Sequence, residues 1–553
     1  MNRVCLAAVV VALVGCGGSG GGGSTRVDDG TTTPAIDLYW AARSQAVNAP
    51  AAALSAVITF QQARPDGSDL SFTVNREVPR TDHVSTHVAP SPAKVGAVNL
   101  RVEFHAQAGG NGPIIGVATS GALLRADGTL GDAAGGALGT VFSAGVVKSI
   151  EVAPNQTLDL GARQFLNGVA RDAQGNVVAV TPGSFSFRPP FAFRSVRLNE
   201  DGSLTGLVPG PAEIEVTMDD MRATGTVTVR YAATGPIKSI NIRASRLAHD
   251  PIRGRIYALG DPTSPDRANH FVTIDASSGA VLSSVPIGSD PTVIAMSADR
   301  SAAYVGLKGS GTVRRVDLAT GTAGPGISLG AHGNEGPYYA MDIAVSPTDP
   351  NLIAVVRYPR NASIGEHDVA LYQNGVRVAN TFAMGTGPRR LAWGPAEDRL
   401  NGIDFDFGTP LYPMTVDANG IQLGQPITNA FSGDVGDIEF SGERIYSAGG
   451  QVIDAITYAP EGTFPFGDRS RSLSAISATE NRAYILLEPS DGITAKLQIF
   501  DTVTFGFVRE VLVPMSNSGV VIDKEFNRMV ALGNGRVALA AGNEVLLIDT
   551  KAL

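Results

Sequence analysis

The residues best equipped for chemistry lie in short polar clusters. His332-Gly333-Asn334-Glu335 and Glu366-His367-Asp368 each set an imidazole beside carboxylates. That pairing can bind a divalent metal or pass a proton between acid and base, but neither spacing by itself specifies a ligand set. His83 and His87 lie four apart beside Asp82, so a helix or a strand would put both rings on one face. The segment is polar and reads as a loop, so no metal ligation is assigned to it. No Gly-x-Ser-x-Gly elbow is paired with a matching His and Asp. The glycine run from Gly17 to Gly23 sits between no strand and helix, so it cradles no phosphate. Both cysteines, Cys5 and Cys16, fall at the extreme N-terminus. The rest of the chain therefore has neither a disulfide nor a thiolate metal site. No catalytic residue, metal or cofactor is assigned.

The elements that would carry such residues are strands. At 553 residues the chain exceeds one core, and its length suggests about three or four domains. Gly (65) and Pro (33) are abundant, Thr, Val and Ser recur in short runs, and no amphipathic helical pattern persists. This is the composition of many short strands joined by tight turns. The formal charge is −9 and no Lys/Arg cluster longer than a pair appears. Nucleic-acid binding needs a basic footprint to neutralise phosphates and is excluded as a partner class. A polybasic membrane patch is excluded on the same ground.

The N-terminus reads as an address and an anchor. Arg3 precedes the apolar stretch Val4 to Val14, which has the length of a signal-peptide core and is too short to span a bilayer. Leu13-Val14-Gly15-Cys16 follows and resembles the bacterial lipobox. The resemblance implies that residues 1–15 are a lipoprotein signal peptide, that the chain is cut before Cys16, and that Cys16 carries the lipid. The Gly/Ser/Thr-rich residues 16–34 then read as a flexible tether. Gly at position 17, by the same family's sorting rule, implies an outer membrane where the cell has one.

Two modules of strands come next. Residues 35–146 show period-two runs such as Ile36-Asp37-Leu38-Tyr39-Trp40 and Val98 to Phe104, separated by the turns Pro65-Asp66-Gly67 and Ala126-Asp127-Gly128. A β-sandwich, Ig-like in character, is expected. Residues 147–232 include Val147 to Pro154, Gly168-Val169-Ala170-Arg171-Asp172-Ala173-Gln174-Gly175-Asn176-Val177-Val178, Asn199-Glu200-Asp201-Gly202-Ser203-Leu204-Thr205-Gly206 and Gly225-Thr226-Val227-Thr228-Val229. This order resembles the group 2 bacterial Ig-like domain, with Phe185 and Phe187 where that family has a Trp-containing strand. Such domains act as spacers or adhesive modules.

From residue 236 to 553 a unit of about 45 residues recurs. One element is a strand, an Asp and a small-residue turn with Gly: Ile274-Asp275-Ala276-Ser277-Ser278-Gly279, Val316-Asp317-Leu318-Ala319-Thr320-Gly321, Val416-Asp417-Ala418-Asn419-Gly420, then Asp501 and Asp549. Degenerate copies at Tyr372 to Gly375 and Tyr458 to Gly462 bring the count to seven. A pair of apolar strands leads each copy, as in Val293 to Ser297 before Ala302 to Gly306. The pattern resembles the YVTN type of β-propeller, related to WD-repeat propellers, and implies seven blades. The last copy lacks a fourth strand, and the spare strand Ile237 to Ile242 is expected to supply it and close the ring. The fold class expected is thus all-β, Ig-like sandwich modules followed by a seven-bladed β-propeller.

In propellers the loop leading into each innermost strand lines the channel mouth. By that analogy the mouth carries Arg246, Asp290, Tyr338, Tyr339, Arg389, Arg390, Asp437 and Arg471. Arginine and tyrosine are favoured at binding hot spots. The reading is a cell-envelope surface lipoprotein that binds or scaffolds a protein or glycan partner. The alternative is a propeller hydrolase or lyase, lactonase-like, using a metal or the His/Glu clusters.

Overall fold

A computed structural model describes residues 30–41, 50–62, 69–76, 83–132, 136–154, 156–189, 195–361, 367–378, 388–394, 396–404, 410–431, 437–466, 472–487, 494–515 and 528–553. The lipobox with Cys16, Glu366 and Arg471 lie outside the described residues. Strands dominate, and the described residues contain no α-helix, only short 3-10 turns. Contacts divide the chain into two compact units, one of residues 1–149 with 169–182, the other of residues 150–168 with 183–553.

In the first unit, one antiparallel sheet runs Leu70–Asn75, Ser55–Gln62, Gly96–His105, Ile114–Leu124, Leu130–Gly131. A second places Val177–Val178, Val141–Phe142, Ala35–Trp40 and His83–Val88 side by side. Alternation produces the core: Ile36, Leu38 and Trp40 are buried while Asp37 faces out. Trp40 of the second sheet packs edge-on against Phe104 of the first, centroids 5.5 Å apart. Three expectations change here. Thr31–Thr32, expected in the tether, pairs with Ala93–Lys94 as a strand. The segment with His83 and His87, expected as a loop, is a strand paired with Ala35–Trp40, and the Ser85 hydroxyl meets His87 Nε2 at 2.8 Å. Val177–Val178, expected in the following module, extends the second sheet beside Val141–Phe142 in parallel register.

The second unit begins with a hairpin, Gly210–Met218 with Met221–Arg230, flanked by Ser186–Arg188 and Thr157–Asp159. A three-stranded sheet of Arg163–Gln164, Leu204–Gly206 and Val196–Leu198 completes it. Phe185 and Phe187 are half-buried with centroids 6.2 Å apart, and the Phe185 ring fills the space above Gly168 that a Cβ would need.

From residue 237 the described chain forms seven successive sheets. Their first strands are Ala244–Asp250, Pro291–Met296, Gly336–Val345, Arg390–Trp393, Ile438–Ser441, Ser472–Ser477 and Met529–Gly533. We number the sheets 1 to 7 in that order. Each meets the next through an apolar layer: Tyr257 and Leu259 of sheet 1 with Val305 of sheet 2, Leu371 of sheet 3 with Leu391 and Trp393 of sheet 4, Phe464 of sheet 5 with Phe500 of sheet 6. Sheet 7 returns to sheet 1 through Ala538, Val545 and Leu547 against Ile256, Ala258 and Ile274. The sheets therefore form a closed ring. The spare strand closes it: Ile237–Ile240 pairs antiparallel with Glu544–Asp549, Ile237 opposite Ile548 and Ile240 opposite Val545.

The recurrent aspartate shapes the outer turns. Asp275 Oδ1 accepts hydrogen bonds from the Ser277 and Ser278 amides and both hydroxyls, and these hold its carboxyl below the usual range. Asp317 binds the Ala319 and Thr320 amides, and Asp501 those of Val503 and Thr504. The copy assigned to Tyr458 to Gly462 is displaced: its aspartate is Asp454, which binds the Ile456 and Thr457 amides and the Thr457 hydroxyl. Four residues after the aspartate the backbone turns left-handed, at Gly279 and Gly321 but also at Tyr458 (φ 59) and Phe505 (φ 58). Non-glycine residues there cost about 1–2 kcal/mol. Their rings are used elsewhere, Tyr458 Oη donating to Asn401 at 2.9 Å and Phe505 packing 5.7 Å from Phe464.

Candidate functional site in the central channel

The first strand of each sheet stands at one end of its sheet order, except where Ala331–His332 pairs with Gly336 and Pro337. One backbone edge of these strands has no neighbour within its own sheet, and the ring turns that edge inward. The channel has two parts.

Where the first strands begin, the lining is charged. A bulge interrupts the pairing between Ala244 and Arg246, and another between Ala340 and Asp342. A bulge re-aims the side chain that follows it, here Arg246 and Asp342. Arg246 Nε donates to the Thr292 carbonyl at 2.8 Å. Asp342 accepts from its neighbour's amide, Ile343, at 2.9 Å and from Leu391 of sheet 4 at 2.7 Å. Asp437 repeats the first of these bonds with Ile438 at 2.9 Å, and its Oδ1 lies 3.7 Å from Arg390 Nε. Arg246 and Arg390 are both buried. Burial, then repulsion from Arg390, lowers the Arg246 pKa to about 9, so it stays charged. Burial, then repulsion from Asp437, raises that of Asp342.

Where the strands end, the channel holds a cavity of ≈ 630 Å³ reached by all seven first strands or the turns after them. Among the described residues its ionisable lining is His249, Arg300 and Glu439. Burial, then Asp437, lifts the Glu439 carboxyl to about 7, while an Ile476 amide hydrogen bond works in the opposite direction. Burial lowers the His249 pKa.

The expected mouth residues thus divide. Arg246, Arg390 and Asp437 meet in the charged cluster. Tyr338 and Tyr339 belong to a second group on sheet 3, where the Arg357 guanidinium lies 4.3 Å from the Tyr338 centroid and the Lys308 ammonium 5.0 Å from that of Tyr339. Asp290 occupies a left-handed turn (φ 54), its amide donating to Asn269 Oδ1. Arg389 is half-buried beside sheet 4, its amide bound to the Ile403 carbonyl. Asp342 and Glu439 are additional to the expected set. Asp342-Ile343 repeats Asp437-Ile438 at the same place in its sheet, a signal the sequence carries.

Of the Glu366-His367-Asp368 cluster, His367 and Asp368 fall within the described residues. Asp368 is buried and holds Arg357 by two hydrogen bonds, 2.9 and 2.5 Å, which occupies both carboxylate oxygens. His367 is buried and stacks on Tyr358, centroids 6.3 Å apart. His332 is half-buried, 6.2 Å from the Tyr338 ring. Among the described residues no three His, Cys, Asp or Glu side chains are grouped to hold a metal ion.

No protein-family model and no curated protein sequence matches the chain. Among solved structures it is similar to hydrazine synthase of Kuenenia stuttgartiensis (TM-score 0.43, 14% identity, 59% of this chain and 100% of that one). It is also similar to the β-propeller domain of Cps50 (Swd1) from Myceliophteria thermophila (TM-score 0.41, 12% identity, 57% of this chain and 99% of that one). The chain is nearly all β, with propeller-like structural neighbours.

Proposed function

We propose that this chain is an exported lipoprotein of the cell envelope, anchored through Cys16, whose Ig-like modules present a seven-bladed β-propeller to a protein or glycan at the cell surface. The seven sheets in a closed ring and their aspartate turns support the propeller. The two facing sheets of the first unit and the hairpin module after them support the spacers. The observation that carries binding over catalysis is the engagement of Asp368 by Arg357, which commits that carboxylate to an arginine.

The contact surface is assigned to half-buried Tyr339 and Tyr358, centroids 5.7 Å apart, beside Lys308. Such rings and cations suit stacking on sugars or docking of a protein loop. The test takes the Cys16→Ala protein across a glycan panel and surface-protein fractions, with a parallel lactone and polysaccharide turnover screen. Binding that Tyr339→Ala weakens about tenfold or more, with unchanged melting, is expected. Turnover abolished by His367→Ala would overturn the reading in favour of the hydrolase. Mass spectrometry of the N-terminal peptide checks the anchor: a diacylated Cys16 is expected, and an unmodified N-terminus elsewhere refutes it.

A further inference from the structure

We propose that the cavity where the first strands end binds a small organic ammonium ion, with Glu439 as its counter-ion. The case begins with the walls. The strands around this cavity stand at the ends of their sheets, so backbone carbonyls without an in-sheet partner are available there as hydrogen-bond acceptors. An ammonium group is a pure donor and meets such a wall well. Glu439 is the only carboxylate lining this cavity among the described residues. Its charged neighbour is Asp437, a like charge, rather than an arginine. The arginines of the charged cluster act elsewhere, Arg390 on Asp437 and Asp342. An ionised Glu439 therefore has more to gain from an incoming cation than any other carboxylate of the channel.

Size and shape agree. The ≈ 630 Å³ volume falls within the range of about 300–1,000 Å³ typical of small-molecule sites. Trp393 and Phe440 also line it, giving an alkyl body apolar surface and a cation a ring face. Other ligand classes fit less well. A carboxylate would face Glu439: the Arg300 guanidinium at the cavity wall does not act on that carboxyl, and His249 is held toward its neutral form by burial. A neutral alcohol would leave the carboxylate desolvated and uncompensated. A metal ion finds no grouped ligands among the described residues. Tyr339, Tyr358 and Lys308 do not line this cavity, so the two proposals fail independently.

The test is calorimetric titration of the full chain at pH 8 with pentylammonium chloride, 1-pentanol and sodium pentanoate. One pentylammonium per chain should bind at least about tenfold more tightly than either other probe. Glu439→Gln should remove about tenfold or more of that affinity, and Glu439→Asp should restore part of it. Equal binding of pentanoate, no binding of pentylammonium, or full affinity in Glu439→Gln would each overturn the proposal. The ranking of the three probes on the unaltered chain decides the matter even where a variant fails to fold.

Discussion

The two halves of the channel solve the same problem differently. Where the first strands begin, Arg246, Asp342, Arg390 and Asp437 bring both signs of charge out of water together, and backbone groups complete the set: the Ile343, Leu391 and Ile438 amides for the carboxylates, the Thr292 carbonyl for Arg246. Where the strands end, Glu439 lines the cavity with one amide from Ile476 and a like charge beyond it. Charges that balance one another can be structural. Burial holds both Asp342 and Glu439 toward the neutral form, but Arg390 and two amides oppose this at Asp342, whereas no cation opposes it at Glu439, whose carboxyl is available to something else. The same ring of strands thus separates a part whose charges fix the structure from a part whose charge is in reserve.

Both halves depend on the ring staying closed, so the change with the largest expected effect removes the closure. Ile237 and Ile240 are buried in the pairing with Glu544–Asp549, and Ile242 is buried beside them. Each such side chain contributes about 1.5–3 kcal/mol by burial, and its loss also uncovers a strand edge prone to pairing with other chains. A chain beginning at residue 235 should melt cooperatively. One beginning at residue 246 should melt at least about 10 °C lower or aggregate, as several kcal/mol implies for a domain of this size. Equal melting temperatures would show that the two halves do not need the closing strand.

The next largest effect lies in the charged half. Arg390→Ala leaves Asp437 without its close cation and Asp342 with less compensation. Removing one partner from a buried pair costs about 3–5 kcal/mol; the part-exposed Asp437 side chain places this case toward the lower end. The Arg390→Ala, Asp437→Ala double variant should recover part of the loss, because no carboxylate is then left behind at that position. Urea unfolding of the two single variants and the double one measures the coupling. A double variant no more stable than the sum of the singles would mean the charges do not act as a set.

How much of this the sequence showed varies with the kind of signal. Asp275 and Asp317 announce their turns because a glycine follows at the left-handed position. Asp454 makes the same turn with Tyr458 at that position, and the missing glycine moved the assignment four residues along. Tertiary contacts of the Tyr458 ring offset the backbone cost there, and they are invisible in a local pattern. The ring closure was legible because a strand without a sheet and a sheet without a strand are both local observations. Asp342 was legible in principle, as a second Asp-Ile pair in a first strand, after the bulge in Gly336–Val345. Glu439 was not, because it sits in an ordinary alternating run and only the ring brings it into a shared cavity. The His83–Val88 segment looked like a loop on polarity, yet an edge strand with one open side tolerates that composition.

The smallest effect separates the halves most cleanly, because it depends on pH. Burial, then Asp437, pushes the Glu439 carboxyl up to about 7 in the folded chain from its ordinary 4.5. Below pH 4.5 it is protonated in both folded and unfolded states and contributes no penalty. Between pH 4.5 and 7 the unfolded chain releases the proton while the folded chain keeps it, so stability falls as pH rises. Above 7 the full penalty is present, on the order of 1–3 kcal/mol once water in the cavity is allowed for. Glu439→Gln is neutral throughout. It should match the parent at pH 4.5 and be the more stable protein at pH 8. The other groups facing Glu439, namely Asp437 from its own strand, His249 across the cavity and Arg300 at its wall, are common to both proteins and cancel in the difference. The same substitution in the charged half, Asp437→Asn, should instead destabilise at pH 8, because there the carboxylate balances Arg390. Urea unfolding at the two pH values compares the pair directly, and a Gln variant that gains nothing at pH 8 would mean that Glu439 is balanced after all.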